Sequence, residues 1–181
     1  MKSELKAFLD CKVLQYNNPT FIESDPIQIP HRYSLKEDIE ISSFLTATIA
    51  WGNRKMIIKN ANKMMELLGN SPYDFVMNHK TSDLDKFDGF VHRTFNSEDF
   101  KYFIKSLKNI YLNHEGIESV FQKHVDETSV QPAIHKFKTI FFSINHHTRT
   151  QKHVGDPMKG SAAKRINMML RWLITDDNAG V

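Results

Sequence analysis

The stretch from Asp38 to Ala50 most constrains the fold, because it is apolar on almost every side of a helix. The residues before it, Ser34-Leu35-Lys36-Glu37, have the pattern of a capping box, in which serine and glutamate side chains satisfy the first free N–H groups. Trp51-Gly52-Asn53 breaks the apolar pattern at the other end. A helix with so little polar surface needs neighbours on most sides. The sequence therefore predicts a buried helix packed among other helices.

The rest of the chain also follows helical spacing, and no segment shows the alternation typical of a strand. The first predicted helix places Leu5, Phe8, Leu9, Val13 and Leu14 on one side. Further helices are predicted over 54–68, from Ser71-Pro72 onward, from a cap at Ser97 to Asn113, over 116–124, over 132–144 and after Ser161. We predict an all-α orthogonal helical bundle, with residues 1–181 forming a single helical domain.

Composition excludes several classes of site. Cys11 is the one cysteine, so the chain forms no intramolecular disulfide and cannot supply an iron–sulfur cluster. Loop histidines at 146, 147 and 153 are candidate metal ligands, but adjacent histidines rarely converge on one ion. We predict no metal and no cofactor.

No apolar run approaches the ~20 residues of a membrane span, and the N-terminus lacks a signal sequence. These features predict a cytoplasmic protein without a membrane partner.

The distribution of charge indicates a partner. The formal net charge of +3 is too small to argue from by itself. Between His146 and Arg171, however, there are six Lys or Arg residues and a single acidic residue, Asp156. The region from Glu23 to Glu40 is acid-rich by contrast. A localised basic face is typical of proteins that bind DNA or RNA.

The segment from Lys159 to Trp172 carries the strongest functional signal. A Gly160-Ser161 corner opens a predicted amphipathic helix, with Ser161 as its expected cap and Lys164 one turn inside. The spacing predicts a buried stripe of Ala162, Ile166, Met169 and Leu173, and an exposed side with Lys164, Asn167 and Arg171. A cationic helix side beside a helix N-terminus is suited to binding phosphate.

The string G-S-A-A-K-R-I-N-M-M-L resembles the second helix of the helix-hairpin-helix motif in base-excision DNA glycosylases. The longer segment 159–172 is similar to archaeal 8-oxoguanine glycosylases and to a bacterial family of unknown function distantly related to them. The similarity to that bacterial family extends over nearly the whole chain and includes Phe44–Lys55, Gly69–Tyr73 and His92–Asn96. It implies the glycosylase scaffold, DNA as partner, and N-glycosylase activity with possible lyase activity on a damaged base.

The resemblance also implies residue roles. Lys164 stands at the position of the nucleophile that attacks the sugar C1′, and Asn167 follows it as it often does in that superfamily. The residues implied to contact DNA are Gly160, Ser161, Arg165, Asn167, Arg171, Trp51 and Asn53, the last two filling the gap left by a flipped base. By spacing alone Lys164 is a solvated lysine, Trp51 a core aromatic residue and Asn53 a helix cap, and for Trp51 we favour the core position.

Two departures from the glycosylase pattern shape the expected function. Gly160-Ser161-Ala162 replaces the usual G-x-G of the hairpin. The chain ends at Val181, whereas the resembling enzymes carry an essential aspartate further beyond the lysine helix; Asp176 and Asp177 are too close to Lys164 to replace it. We therefore expect an incomplete, catalytically inert version of the family domain, with apolar surface exposed around Ile166, Met169, Trp172 and Leu173. The alternative is a non-catalytic helical module that binds nucleic acid or another protein.

Overall fold

The computed structural model describes residues 2–126, 128–174 and 180–181. Helices account for most of it: α1 (Lys2–Tyr16), α2 (Pro19–Ile22), α3 (Lys36–Ile49), α4 (Arg54–Leu67), α5 (Pro72–Asn78), α6 (Ser97–Asn113), α7 (Ile117–Gln122), α8 (Gln131–Phe141) and α9 (Lys164–Ile174). Short 3-10 turns cover 26–28, 30–32, 81–87, 148–153 and 157–159. The predicted all-α class is confirmed.

A two-stranded hairpin is the one strand pair among the described residues, and the sequence did not predict it. Strands β1 (Val91–His92) and β2 (Phe95–Asn96) pair antiparallel, with Val91 opposite Asn96. Each strand has only two residues, so no alternating pattern could develop in the sequence.

Helix α3 lies at the centre of the fold, as its apolar sequence predicts. Every residue from Glu40 to Ile49 is buried, and α3 packs against α4, α5 and α9. Its Phe44 ring lies 5.5 Å from Phe103 of α6 and 5.3 and 5.2 Å from Phe137 and Phe141 of α8, measured between centroids. Aromatic contacts of this kind add to the free energy of burial, and they join three helices into one core.

Two predicted helix caps are wrong. The capping box at residues 34–37 does not form, since the residue that precedes α3 is Leu35 and no side chain caps the helix. Helix α6 is capped by Asn96 rather than by Ser97: Asn96 accepts from the Asp99 N–H and Asp99 accepts from the Asn96 N–H, both at 3.1 Å. Asn96 ends strand β2 in an extended conformation, which directs its side chain over the first turn of the helix.

The apolar side that the sequence predicts for α1 does not pack into the core. Its large apolar residues are all more than half exposed: Leu5, Phe8, Leu9, Val13 and Leu14. Lys12 interrupts this side, its Nζ lying 5.6 Å from the Phe8 ring and 5.8 Å from the Tyr16 ring. A groove of about 730 Å³ separates Leu9 and Val13 from Trp172 of α9. The helix therefore forms without burying its apolar side chains in the core.

Within the described ranges, no helix is both long and apolar enough to span a bilayer.

Candidate nucleic-acid interface

Helix α9 begins later than its sequence predicts. Gly160 adopts a left-handed conformation (φ +79°), and its N–H donates to Pro157 O at 3.1 Å, ending the turn before it. Ser161 Oγ accepts from the Ala163 N–H at 3.1 Å. Ala163 is itself left-handed (φ +44°), so helical conformation starts only at Lys164. Lys164 is thus the first helical residue and does not lie one turn inside.

The two sides of α9 are close to those predicted. Lys164, Asn167 and Arg171 are exposed, whereas Ile166 and Met169 are buried against α3 and the core. Ala162 lies outside the helix and is exposed, and Trp172 takes a place in the buried stripe instead. The expected apolar exposure is therefore wrong for Ile166, Met169 and Trp172, each at most 5% exposed; Leu173 is half-buried.

Lys164 lines a shallow cavity of about 260 Å³ together with Gly155 and the residues from Ser161 to Arg165. Its side chain is exposed. Among the residues that the structure describes, no carboxylate forms an ion pair with its ammonium group. Asp176 and Asp177 lie outside the described residues. The position of Lys164 at a helix start beside an open cavity is compatible with a reacting amine or with a phosphate contact.

Three other predicted site residues already have partners within the chain. Asn53 caps α4, its Oδ1 accepting from the Met56 N–H at 3.2 Å, which confirms the cap interpretation. Asn167 Nδ2 donates to Ala162 O at 3.0 Å and ties α9 to the preceding loop. Arg171 Nη2 donates to Asn17 Oδ1 at 3.1 Å.

Trp51 and Arg165 are brought together by the fold. Trp51 is half-buried at the end of α3, with its ring edge-on to His92 at 5.2 Å, and the Arg165 guanidinium lies 4.8 Å from the Trp51 ring centroid. Arg165 also donates to Thr48 O at 2.7 Å and to Lys152 O at 3.4 Å. Burial lowers the pKa of Arg165, although a guanidinium stays charged at neutral pH. Trp51 packs against the core as favoured, yet keeps part of its ring accessible.

A buried carboxylate, Asp99, fixes the loop of residues 146–160, called the basic loop below, to α6. This role of Asp99 was not predicted from the sequence. The carboxylate is fully buried and accepts from Arg149 Nη1 at 2.9 Å, Thr150 Oγ1 at 2.7 Å and His153 Nε2 at 3.1 Å. Burial alone would raise the pKa of Asp99, but hydrogen bonds from His153, Thr150 and Asn96 outweigh it and hold the pKa at about 2. The spacing Asn96-x-x-Asp99 was the available signal, because it matches a capping box.

The single acidic residue of the basic loop is also buried and hydrogen-bonded within the chain. Asp156 is 5% exposed, and its Oδ1 accepts from His135 Nδ1 at 2.9 Å and from the Met158 N–H at 3.1 Å. Burial acts to raise the pKa of Asp156, but the bond from His135 and other favourable contacts lower it overall. Asp156 is therefore turned inward, and its carboxylate is not presented at the surface among the exposed cations.

Three segments distant in sequence, 50–65, 89–97 and 146–165, meet around Trp51. Besides the Trp51–Arg165 contact, Asn60 Nδ2 lies 2.8 Å from His92 Nδ1, and Arg149 Nη2 donates to Thr94 O at 2.9 Å. Together they contain ten Lys or Arg residues and one acidic residue, Asp156. We use the name cationic face for the exposed cations of these three segments: Arg54, Lys55, Lys59, Lys63, Arg93, Arg149, Lys152, Lys159 and Lys164.

The loop histidines do not form a metal site. His153 is buried on Asp99, while His146 Nδ1 lies 2.8 Å from Ile144 O and its Nε2 lies 2.8 Å from Gln151 Nε2. In the described part of the chain, no group of three or more His, Cys, Asp or Glu side chains could hold a metal ion.

Comparison with known proteins gives one finding. Residues 25–181 match the model of a family described as "Protein of unknown function (DUF2400)". No curated protein matches the chain, and no solved structure matches it. The matched range begins after α2, so it excludes α1, the helix whose apolar residues are exposed.

Proposed function

The chain belongs to the DUF2400 family of proteins of unknown function, and we propose that it binds duplex DNA through the cationic face. The observation that carries this proposal is the meeting of three acid-poor segments at Trp51. Contacts to phosphate supply essentially all of the affinity of non-specific DNA binding, since the duplex carries one negative charge per ~1.7 Å of its axis. The cationic face has nine exposed Lys or Arg residues, and the one acidic residue of the three segments, Asp156, is buried. Its charge is therefore complementary to that of the DNA phosphates.

Trp51 supports duplex DNA as the partner. Its side chain is partly exposed where the three segments meet, and the Arg165 guanidinium packs against its ring while bonded to two carbonyls. An aromatic ring held in this way can stack on a base that leaves the duplex. In this proposal Arg165 positions Trp51, and the exposed lysines contact phosphate. The choice of DNA over RNA rests on the resemblance of segment 159–172 to base-excision glycosylases.

Salt-dependent binding tests this function. The affinity for a fluorescent 20-base-pair duplex would be measured by anisotropy over a series of salt concentrations. We expect log K to fall linearly with log salt, and the double variant Lys55→Gln, Lys59→Gln to reduce the slope by about 0.9 for each lysine that binds a phosphate. The control Lys80→Gln, Lys136→Gln removes two exposed charges outside the cationic face and should leave the slope unchanged. Absence of salt-dependent binding by the unmodified protein would refute the proposal.

A second candidate function is imine chemistry at Lys164. The exposed amine at the start of α9 beside an open cavity favours it. At an abasic site the Lys164 Nζ would attack the C1′ aldehyde, forming a C=N bond with loss of water, and borohydride would then reduce the imine to a stable amine. Because no carboxylate pairs with Lys164 among the described residues, we expect little turnover.

Borohydride trapping on an abasic duplex separates the two functions. A covalent adduct that disappears in Lys164→Ala but persists in Lys159→Ala would support the imine. Equal adduct formation by Lys164→Ala would assign the reaction to exposed lysines in general. DNA binding without any adduct would leave a binding module only.

A further inference from the structure

The hairpin between β1 and β2 carries an arginine in an unusual backbone conformation. Arg93 has φ +55°, a left-handed geometry that few residues other than glycine adopt at low cost. Its neighbours hold the hairpin in place: His92 is 4% exposed and bonded to Asn60, and Phe95 is fully buried. Arg149 bonds to Thr94 O. Strained residues persist where the surrounding structure determines them, and they cluster at functional sites.

The Arg93 side chain lies across Gly52 in the neighbouring corner. A Cβ atom at position 52 would collide with Nη1 of Arg93, and Gly52 itself has φ +104°. Only glycine therefore combines this backbone geometry with space for the guanidinium. The contact places a planar cation against Gly52, the residue that follows Trp51 in the chain.

The acidic residues that flank Arg93 in the sequence, Asp88 and Glu98, both form ion pairs with Lys101. Segments 50–65 and 89–97 contain no Asp or Glu. Across the described ranges, the Arg93 guanidinium forms no ion pair. It is exposed, whereas Arg149 and Arg165 on the same face are bonded to groups within the chain. The guanidinium N–H groups of Arg93 are thus available to donate hydrogen bonds to a ligand.

We infer that Arg93, seated on Gly52, binds a phosphate of the DNA strand beside the base that Trp51 contacts. The inference rests on the proposed function and adds to it a contact that the resemblance did not indicate. A guanidinium binds a phosphate through two parallel hydrogen bonds, which fixes the register of the strand. A phosphate fixed at this place would hold the backbone while a base moves toward Trp51.

Substitutions at Arg93 test the inference by the same anisotropy titration. Arg93→Gln should weaken binding about tenfold and reduce the salt slope by about 0.9. Arg93→Lys should restore the salt slope but not the full affinity, because the lysine ammonium is a point charge and lacks the two parallel N–H donors of a guanidinium. Lys80→Gln is the control for loss of one exposed charge outside the cationic face. Thermal unfolding should be unchanged in all three variants, since both side chains are exposed.

Gly52→Ala provides a second, independent variant, with its folding checked by circular dichroism. It should displace the guanidinium and weaken binding, and combining it with Arg93→Gln should add no further loss. If the losses of binding free energy in the two single variants add fully in the double variant, the contact between Arg93 and Gly52 does not act in DNA binding. If the unmodified protein binds DNA and Arg93→Gln binds equally well with the same slope, the phosphate contact is refuted while the proposed function stands. If the unmodified protein does not bind the duplex, the proposed function itself fails.

Discussion

At the scale of single residues, Asp99 shows how a buried charge organises the surface above it. Its carboxylate receives hydrogen bonds from Arg149, Thr150 and His153, and these bonds compensate for the loss of hydration. All three donors belong to the loop that leads to Lys164. The position of the basic loop therefore depends on one carboxylate in α6.

Asp99→Asn should lower the free energy of unfolding by about 2–4 kcal/mol at neutral pH, because a neutral amide replaces the carboxylate that accepts three hydrogen bonds, one of them from the Arg149 guanidinium. The folded pKa of about 2 lies below the ordinary 3.8. The depressed pKa therefore contributes stability that is fully present above pH ~4 and lost as pH falls through ~2, amounting to about 2 kcal/mol. The stability gap between wild type and variant, measured by urea denaturation, should narrow over that range. A stability difference between wild type and variant that does not change with pH would contradict the assignment of this stability to the lowered pKa of Asp99.

Arg165→Met should destabilise the protein by about 2 kcal/mol, since it removes two hydrogen bonds to carbonyls and the cation beside Trp51. Tryptophan fluorescence should change as well, because the environment of Trp51 changes. The control is Lys164→Met, which removes the same charge from the adjacent, exposed residue. Equal unfolding midpoints and equal spectra for the two variants would show that Arg165 does not position Trp51.

At the scale of elements, apolar spacing predicted the helices well and their starts poorly. Helix α4 has Ile57, Ala61 and Met64 buried as its period indicates. The start of α9 differs because the left-handed Ala163 interrupts a run of good helix formers. Caps depend on the conformation of the residue before the helix, which the packing of neighbouring elements decides.

Helix α1 offers a test at this scale. Its large apolar side chains are mostly more than half exposed, so removing residues 1–16 should change the free energy of unfolding by less than about 1 kcal/mol and the melting temperature by less than about 4 °C. Phe44→Ala, in the buried helix α3, is the contrasting variant and should cost about 3–5 kcal/mol. A large drop in melting temperature for the truncated protein would show that α1 packs on the core in solution.

At the scale of the whole molecule, the candidate site comes from segments that no local sequence pattern connects. The sequence indicated the basic segment from His146 to Arg171 and marked Trp51 as a separate corner. It did not indicate Arg93, whose role arises only from its contact with Gly52. Long-range packing on α3 brings these positions together, and local patterns carry no information on such contacts.

Binding of duplex DNA by the cationic face can be tested by an NMR titration of the isotope-labelled protein with a short duplex. Amide shifts should concentrate in segments 50–65, 89–97 and 146–165, and should weaken together as salt is raised. Amides of α1 and α7 should remain unchanged. Shifts centred instead on the apolar cavity of about 470 Å³ lined by Ile39, Phe121 and Leu173, or no shifts at low salt, would contradict binding through the cationic face.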